Sequence, residues 1–167
     1  MKIFAQISII FFHCLFNIAS HADTRIGLNM TGKIIETPCI VSTNSKNQTI
    51  SFPDVLTTNG VAPGTLATNS FAILLDQCPA SQQYATIKFY GTPDAINSTR
   101  AYSNSGTAKN VAIEIVTSYN IEMGNGKVAT LSLLNEKTFK FNASLVSRGN
   151  ITAGTIQAVV TAELIYN

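Results

Sequence analysis

An all-β sandwich is the fold class this sequence predicts, and three observations predict it. Apolar and polar residues alternate with a period of two over seven or more short stretches, which puts each alternate set on its own face of a strand. Thr, Asn, Ser, Ala, Val and Ile dominate, and charged residues make up only 12% of the chain. β-Branched residues suit a pleated surface, and Asn, Ser and Gly suit the turns between strands. No stretch carries the spacing of an amphipathic helix. Short strands separated by turns assemble as two packed sheets.

The first element is a leader rather than part of the fold. Met1-Lys2 opens with a positive charge, and an apolar run from Ile3 through Ile18 follows. Ser20-His21-Ala22 then places small residues at minus three and minus one of a cleavage site before Asp23. Residues 1–22 read as a secretory signal peptide. The run is too short for a membrane span. Its removal takes both histidines, His13 and His21, together with Cys14. An exported chain of about 145 residues remains, enough for one domain.

The next element, residues 23–36, alternates Ile26, Leu28, Met30, Gly32 and Ile34 against Gly27, Asn29, Thr31 and Lys33. This is the pattern of a half-buried strand. It lies outside the loop between Cys39 and Cys78. Two readings are open for it: an ordinary first strand of its own domain, or a strand that enters the groove of another copy. Gly32 interrupts the apolar row, either for flexibility or for close approach.

Cys39 and Cys78 are the cysteines left after processing. In an oxidising compartment they are expected to form one disulfide, closing a loop of about 40 residues that the chain-entropy model values at roughly 4 kcal/mol. Two distant cysteines without a histidine cannot supply four zinc ligands.

Ile34–Thr43 reads as a strand that Pro38 confines to an edge or a sheet switch. Gln48–Phe52 reads as another, and Pro53–Asn69, rich in Thr, Asn, Gly and Pro, as a loop. Ser70–Cys78 alternates Phe71, Ile73 and Leu75 against Ala72, Leu74 and Asp76. Tyr84–Tyr90 alternates Ala85, Ile87 and Phe89 against Tyr84, Thr86, Lys88 and Tyr90. Thr92–Lys109 is polar and loop-like. Val111–Thr117 is a strand, Gly124-Asn125-Gly126 a turn, and Val128–Leu133 a short strand. Thr138–Val146 carries Phe139, Phe141, Ala143 and Leu145 on one face.

The terminal stretch Gly154–Asn167 is the most regular of all. Ile156, Ala158, Val160, Ala162, Leu164 and Tyr166 form one apolar face, and Thr155, Gln157, Val159, Thr161, Glu163 and Ile165 the other. No hairpin partner follows it. Its next neighbour comes from elsewhere in the fold or from another molecule.

The residues argue against catalysis and against nucleic acid. The chain carries 11 basic and 9 acidic groups, with no basic stripe. Without a histidine in the processed chain there is no Ser-His-Asp or Cys-His arrangement. The acids are scattered and pair at no catalytic spacing, and no phosphate-binding glycine loop is present. No cofactor, metal or small-molecule substrate is expected. Several Asn-x-Ser/Thr triplets, at Asn29, Asn47, Asn97, Asn142 and Asn150, would permit glycosylation in a self-complete secreted immunoglobulin-like module, the alternative from a different class.

Four segments carry a resemblance: Thr31–Thr43 (TGKIIETPCIVST), Phe71–Pro79 (FAILLDQCP), Asn104–Ile115 (NSGTAKNVAIEI) and Ala153–Val160 (AGTIQAVV). With the penultimate Tyr166, and Gly154 fourteenth from the end, they span essentially the whole exported chain. The sequence resembles bacterial pilus subunits of the chaperone–usher type, in particular the small adaptors of the tip fibrillum in type 1-like fimbriae. Major shaft subunits share the same landmarks. A tip adhesin, in contrast, usually adds a lectin domain and lacks a donor extension.

The resemblance implies an incomplete immunoglobulin-like sandwich, residues 37–167, lacking its last strand. It implies export through the periplasm to a surface fimbrium, with neighbouring subunits, a periplasmic chaperone and an outer-membrane usher as partners. A donor strand completes the sandwich, a mode of β-strand addition. Residues 23–36 would be the donor, with Ile26, Leu28, Met30 and Ile34 filling pockets and Gly32 meeting a shallow one. Burying four such side chains gives roughly 6–12 kcal/mol gross, less the cost of ordering the arm. Gly154, Ile156, Ala158, Val160, Ala162, Leu164, Tyr166 and Asn167 would form the acceptor groove and chaperone contact, with the Asn167 carboxylate meeting basic groups of the chaperone.

Overall fold

The computed structural model describes residues 28–34, 36–57 and 61–166. The chain divides into two units, Met1–Ile35 and Glu36–Asn167. The leader, Ile26 and Asn167 lie outside the described residues. In the first unit, residues 28–34 join no strand ladder and are exposed, with Leu28, Met30 and Ile34 open to water. A half-buried strand over 23–36 is therefore not present in this described part. An isolated strand has no partner for its peptide groups, and alternation alone cannot hold it.

Among its described residues the second unit holds eight strands: β1 (Ile40–Val41), β2 (Gly64–Asp76), β3 (Tyr84–Gly91), β4 (Ala101–Ser103), β5 (Val111–Thr117), β6 (Val128–Ser132), β7 (Thr138–Ser147) and β8 (Val160–Ile165). They form a five-stranded sheet in the order β1-β2-β7-β5-β4 and a three-stranded sheet in the order β6-β3-β8. All pairings are antiparallel. The isolated bridge between Pro93 and Tyr102 carries the chain of β3 over to the first sheet.

Alternation decides what is buried. Ile73 and Leu75 from β2, Phe139 and Phe141 from β7, and Ile115 from β5 meet Ala85, Ile87 and Phe89 from β3 in one core. Phe141 stacks on Phe71 at 5.2 Å and makes an edge-to-face contact with Phe89 at 5.0 Å. Tyr102 is fully buried, and its hydroxyl donates to the Met123 carbonyl at 2.7 Å. That bond answers the cost of burying a phenol. Burial pushes the Tyr102 pKa well above the usual tyrosine range. Cys39 and Cys78 are joined by a disulfide.

Five sequence expectations are corrected. The strand expected over Ile34–Thr43 shrinks to Ile40–Val41, because Pro38 lacks a donor and a 3-10 turn at Thr43–Ser45 bends the chain away. Gln48–Phe52 joins no ladder. Part of the loop expected over Pro53–Asn69 is strand: β2 starts at Gly64, and Thr65–Asn69 pair with Ala143–Val146 of β7. Thr68 and Ser144 add a hydroxyl contact of 2.8 Å. The loop expected over Thr92–Lys109 contains β4, whose three residues are too few to show a period and are held by β5. The terminal strand forms a ladder only over Val160–Ile165 rather than from Gly154.

Candidate functional site

The edges of the two sheets are treated differently. At β2, Leu74 N–H donates to Ser45 Oγ at 2.9 Å and Ala72 C=O accepts from Gln48 Nε2 at 2.7 Å. Asn69 Nδ2 reaches back to the Ser51 carbonyl at 2.9 Å. Gln48–Phe52 thus runs beside β2 through side-chain bonds, and that edge is capped. β8 pairs with β3 on one side and with no described strand on the other.

Hydrogen-bond directions follow from register. Phe89 N–H donates to Lys127 C=O at 3.1 Å, and Phe89 C=O accepts from Gly126 N–H at 2.7 Å. Its peptide groups therefore face the β6 side. Directions alternate along a strand, so Thr86, Lys88 and Tyr90 turn theirs to β8, opposite Ile165, Glu163 and Thr161. The N–H and C=O groups of Val160, Ala162 and Leu164 are left pointing to the open side.

The same parity continues upstream of β8. Thr155 C=O accepts from Ala108 N–H at 3.1 Å, and Gln157 C=O accepts from Ser105 N–H at 2.8 Å. Thr155 N–H donates to Thr107 Oγ1 and Gln157 N–H to Asn104 Oδ1, both at 2.8 Å. The groups of Thr155 and Gln157 are thus used, and those of Ile156 and Ala158 join the open row. Sequence reasoning placed no functional residue in 104–108, although Asn104-Ser105-Gly106-Thr107-Ala108 opens one of the segments that carried the resemblance.

The open row coincides with the apolar one. Ala158, Val160, Leu164 and Tyr166 pack partly buried against the core. Ile156 is 37% exposed and Ala162 is exposed. Gly154 is needed for close approach: a Cβ there would lie 2.4 Å from the Ala108 nitrogen.

A second rail runs beside the first. The Tyr166 hydroxyl donates to the Cys39 carbonyl at 2.6 Å. At the other end, Ala108, which binds Thr155, belongs to the cluster on which Phe52 and Val55 pack. Among the described residues no backbone hydrogen bond joins the stretch from Cys39 to Val55 to residues 155–166. A sheet edge with free peptide groups above apolar side chains is a template for another strand.

The fimbrial protein family model matches residues 28–167. The chain belongs to the fimbrial protein family. It is 30% identical over 151 residues to Protein FimG of Escherichia coli strain K12, covering 87% of this chain and 86% of that one. It is 28% identical to Minor fimbrial subunit HifD of Haemophilus influenzae, covering 92% of this chain and 79% of that one. In fold it is similar to the crystal structure of the P pilus rod subunit PapA, with a TM-score of 0.56 and 18% identity, covering 84% of this chain and all of that chain. The fold is an immunoglobulin-like sandwich, and the chain is a fimbrial subunit exported to the cell surface.

The structure brings Ile156, Ala158, Val160, Ala162 and Leu164 into one row, with Gly154 packed against Ala108 at its upstream end and Tyr166 bonded to Cys39 at the other. Of the donor set, Leu28, Met30, Gly32 and Ile34 are described, and all are exposed. Among the described residues no group of three His, Cys, Asp or Glu side chains could hold a metal ion.

Proposed function

We propose that the open edge of β8 is the acceptor for a donor strand from a neighbouring pilus subunit, and that residues 23–36 serve as donor to the next. Residues 37–167 are then a sandwich one strand short. The observation that carries this is the row Ile156, Ala158, Val160, Ala162 and Leu164, which offers free peptide groups and apolar side chains together. A lone subunit with such an edge is prone to aggregate. A periplasmic chaperone covers the edge first, and the outer-membrane usher is where the neighbour's arm replaces it. The role is structural rather than catalytic. Likeness to a minor fimbrial subunit supports a minor, adaptor-type place in the fibre; a shaft place is the alternative.

The test is a photo-crosslinker at Ala162 in assembled pili, followed by peptide identification. The expected partner is the N-terminal arm of a neighbouring subunit in pili and a chaperone strand in the periplasmic intermediate. Crosslinks confined to residues 23–36 of the same chain would overturn the proposal. Gly32→Leu is expected to block assembly where this arm meets its neighbour while leaving the chaperone complex intact. Normal polymerisation of that variant counts against the donor assignment.

A further inference from the structure

We infer that Asn104 and Thr107 are positioning residues of the acceptor edge: they hold Thr155–Gln157 extended, so that the edge runs beyond β8 to Ile156. This rests on the acceptor reading above.

β3 backs the terminal strand only from Val160 to Ile165. Upstream of Val160 the loop 104–108 takes over the backing, and it does so largely with side chains. Asn104 is the hub. Its Oδ1 accepts from Gln157 N–H at 2.8 Å and from Gly106 N–H at 3.0 Å. Its Nδ2 donates to Ala108 C=O at 2.9 Å and reaches Thr155 C=O at 3.4 Å. Thr107 and Thr155 are reciprocal: each backbone N–H donates to the other's hydroxyl, at 3.0 and 2.8 Å. Ser105 Oγ adds a bond to Gln157 C=O at 3.0 Å. The fit is close, since a Cβ on Gly106 would sit 2.1 Å from the Thr155 oxygen.

The consequence lies on the opposite side of the strand. With Thr155 and Gln157 bound to the loop, alternation turns Ile156 and Ala158 outward in line with Val160, Ala162 and Leu164. Without the loop's side chains, 155–157 keep only the backbone bonds from Ala108 N–H to Thr155 C=O and from Ser105 N–H to Gln157 C=O; with the N–H groups of Thr155 and Gln157 unbound the stretch loosens, and the usable edge falls back to Val160–Leu164. A donor would then lose its contacts at that end and keep the rest.

This separates positioning from general stability. The probe is a labelled synthetic peptide of residues 23–36, bound to the exported chain, with shorter forms trimmed by four residues from either end. The readout is its rate of release, beside the melting temperature of each variant. In the wild-type chain, trimming the end that meets Ile156 is expected to speed release about tenfold or more. In Thr107→Val and in Asn104→Ala the full-length peptide is expected to leave as fast as that trimmed form does from the wild type, and the same trimming has no further effect. Thr107→Ser, which keeps the hydroxyl, is expected to behave as wild type. Trimming at the other end speeds release equally in all chains. If folded Thr107→Val and Asn104→Ala keep the full effect of trimming at the Ile156 end, the inference is overturned while the acceptor reading stands. If the full-length peptide does not bind the wild-type chain at all, both fall together.

Discussion

The Tyr166 hydroxyl donates to the carbonyl oxygen of Cys39 across 2.6 Å, joining residues 127 positions apart. The bond ties the end of the terminal strand to the start of the five-stranded sheet. Cys39 is in turn held by its disulfide to Cys78, and Ile40 and Val41 pair with Asp76 and Leu75. Tyr166 thus closes one end of the gap between the two rails, with its ring on the core and its hydroxyl on the far rail.

Tyr166→Phe keeps the packing and removes the bond. A neutral hydrogen bond contributes about 1 kcal/mol net, and the variant is expected to lose that much in urea unfolding with an unchanged m-value. A midpoint equal to wild type would show that water replaces the bond without loss.

Burial of this tyrosine also makes the fold sensitive to alkali. Burial raises the pKa of Tyr166, and that of Tyr102 further still. In the unfolded chain both ionise near pH 10. Above that pH the unfolded state binds fewer protons than the folded one, so stability falls as pH rises. Both contributions are whole below pH 10 and are lost as pH climbs through the raised folded values. Unfolding midpoints measured from pH 8 to 12 are expected to be flat and then to decline, less steeply in Tyr166→Phe. An equal decline in both chains would assign the effect to other groups.

How much of this was legible depended on where the cause lay. Strands with in-register partners and apolar residues at every second position declared themselves: Val111–Thr117 is β5 residue for residue, and Ala85, Ile87 and Phe89 are the buried face of β3. β4 was not legible, because three residues around Tyr102 owe their strand to β5 rather than to any pattern of their own. Gly64–Asn69 looked like a loop, since Gly, Thr and Asn are turn formers until β7 lies beside them. For the site, alternation named the inward row of the terminal strand. It could not show that Asn104 and Thr107 back the row's upstream end, because those bonds span about fifty residues of sequence.

Loss of the disulfide affects both rails. A bridge spanning a separation of 39 residues is expected to contribute about 4 kcal/mol by the chain-entropy model. A paired Cys39→Ala, Cys78→Ala chain is expected to lose most of its stability and to reach the periplasm with little recoverable subunit. Wild-type thermal unfolding of that chain would mean that strand pairing alone fixes β1.

Charged groups outside the acceptor edge form a network around Asp94. Asp94 Oδ2 accepts from the N–H groups of Ile96 at 3.1 Å and Asn97 at 2.9 Å, and from Arg148 Nη2 at 2.8 Å. Arg148 also lies 3.7 Å from Glu114, which pairs with Arg100 at 2.9 Å. Arg100 Nε is off the hydrogen-bonding direction, so that contact is ionic. Side chains of Asp94, Arg148 and Glu114 are only 12–18% exposed, so their pairing is screened less than a surface pair. Asp94→Asn keeps an oxygen for the turn and removes the charge; its expected cost is about 1–2 kcal/mol, the range of a charge-assisted bond. Asp94→Ala loses the turn bonds as well and is expected to cost about 1 kcal/mol more. A double-mutant cycle of Asp94→Asn with Arg148→Met isolates the pair, and coupling of about 1 kcal/mol is expected to survive in 1 M salt. Coupling that vanishes in salt would reclassify the pair as a surface contact and leave the Asx turn as Asp94's whole contribution.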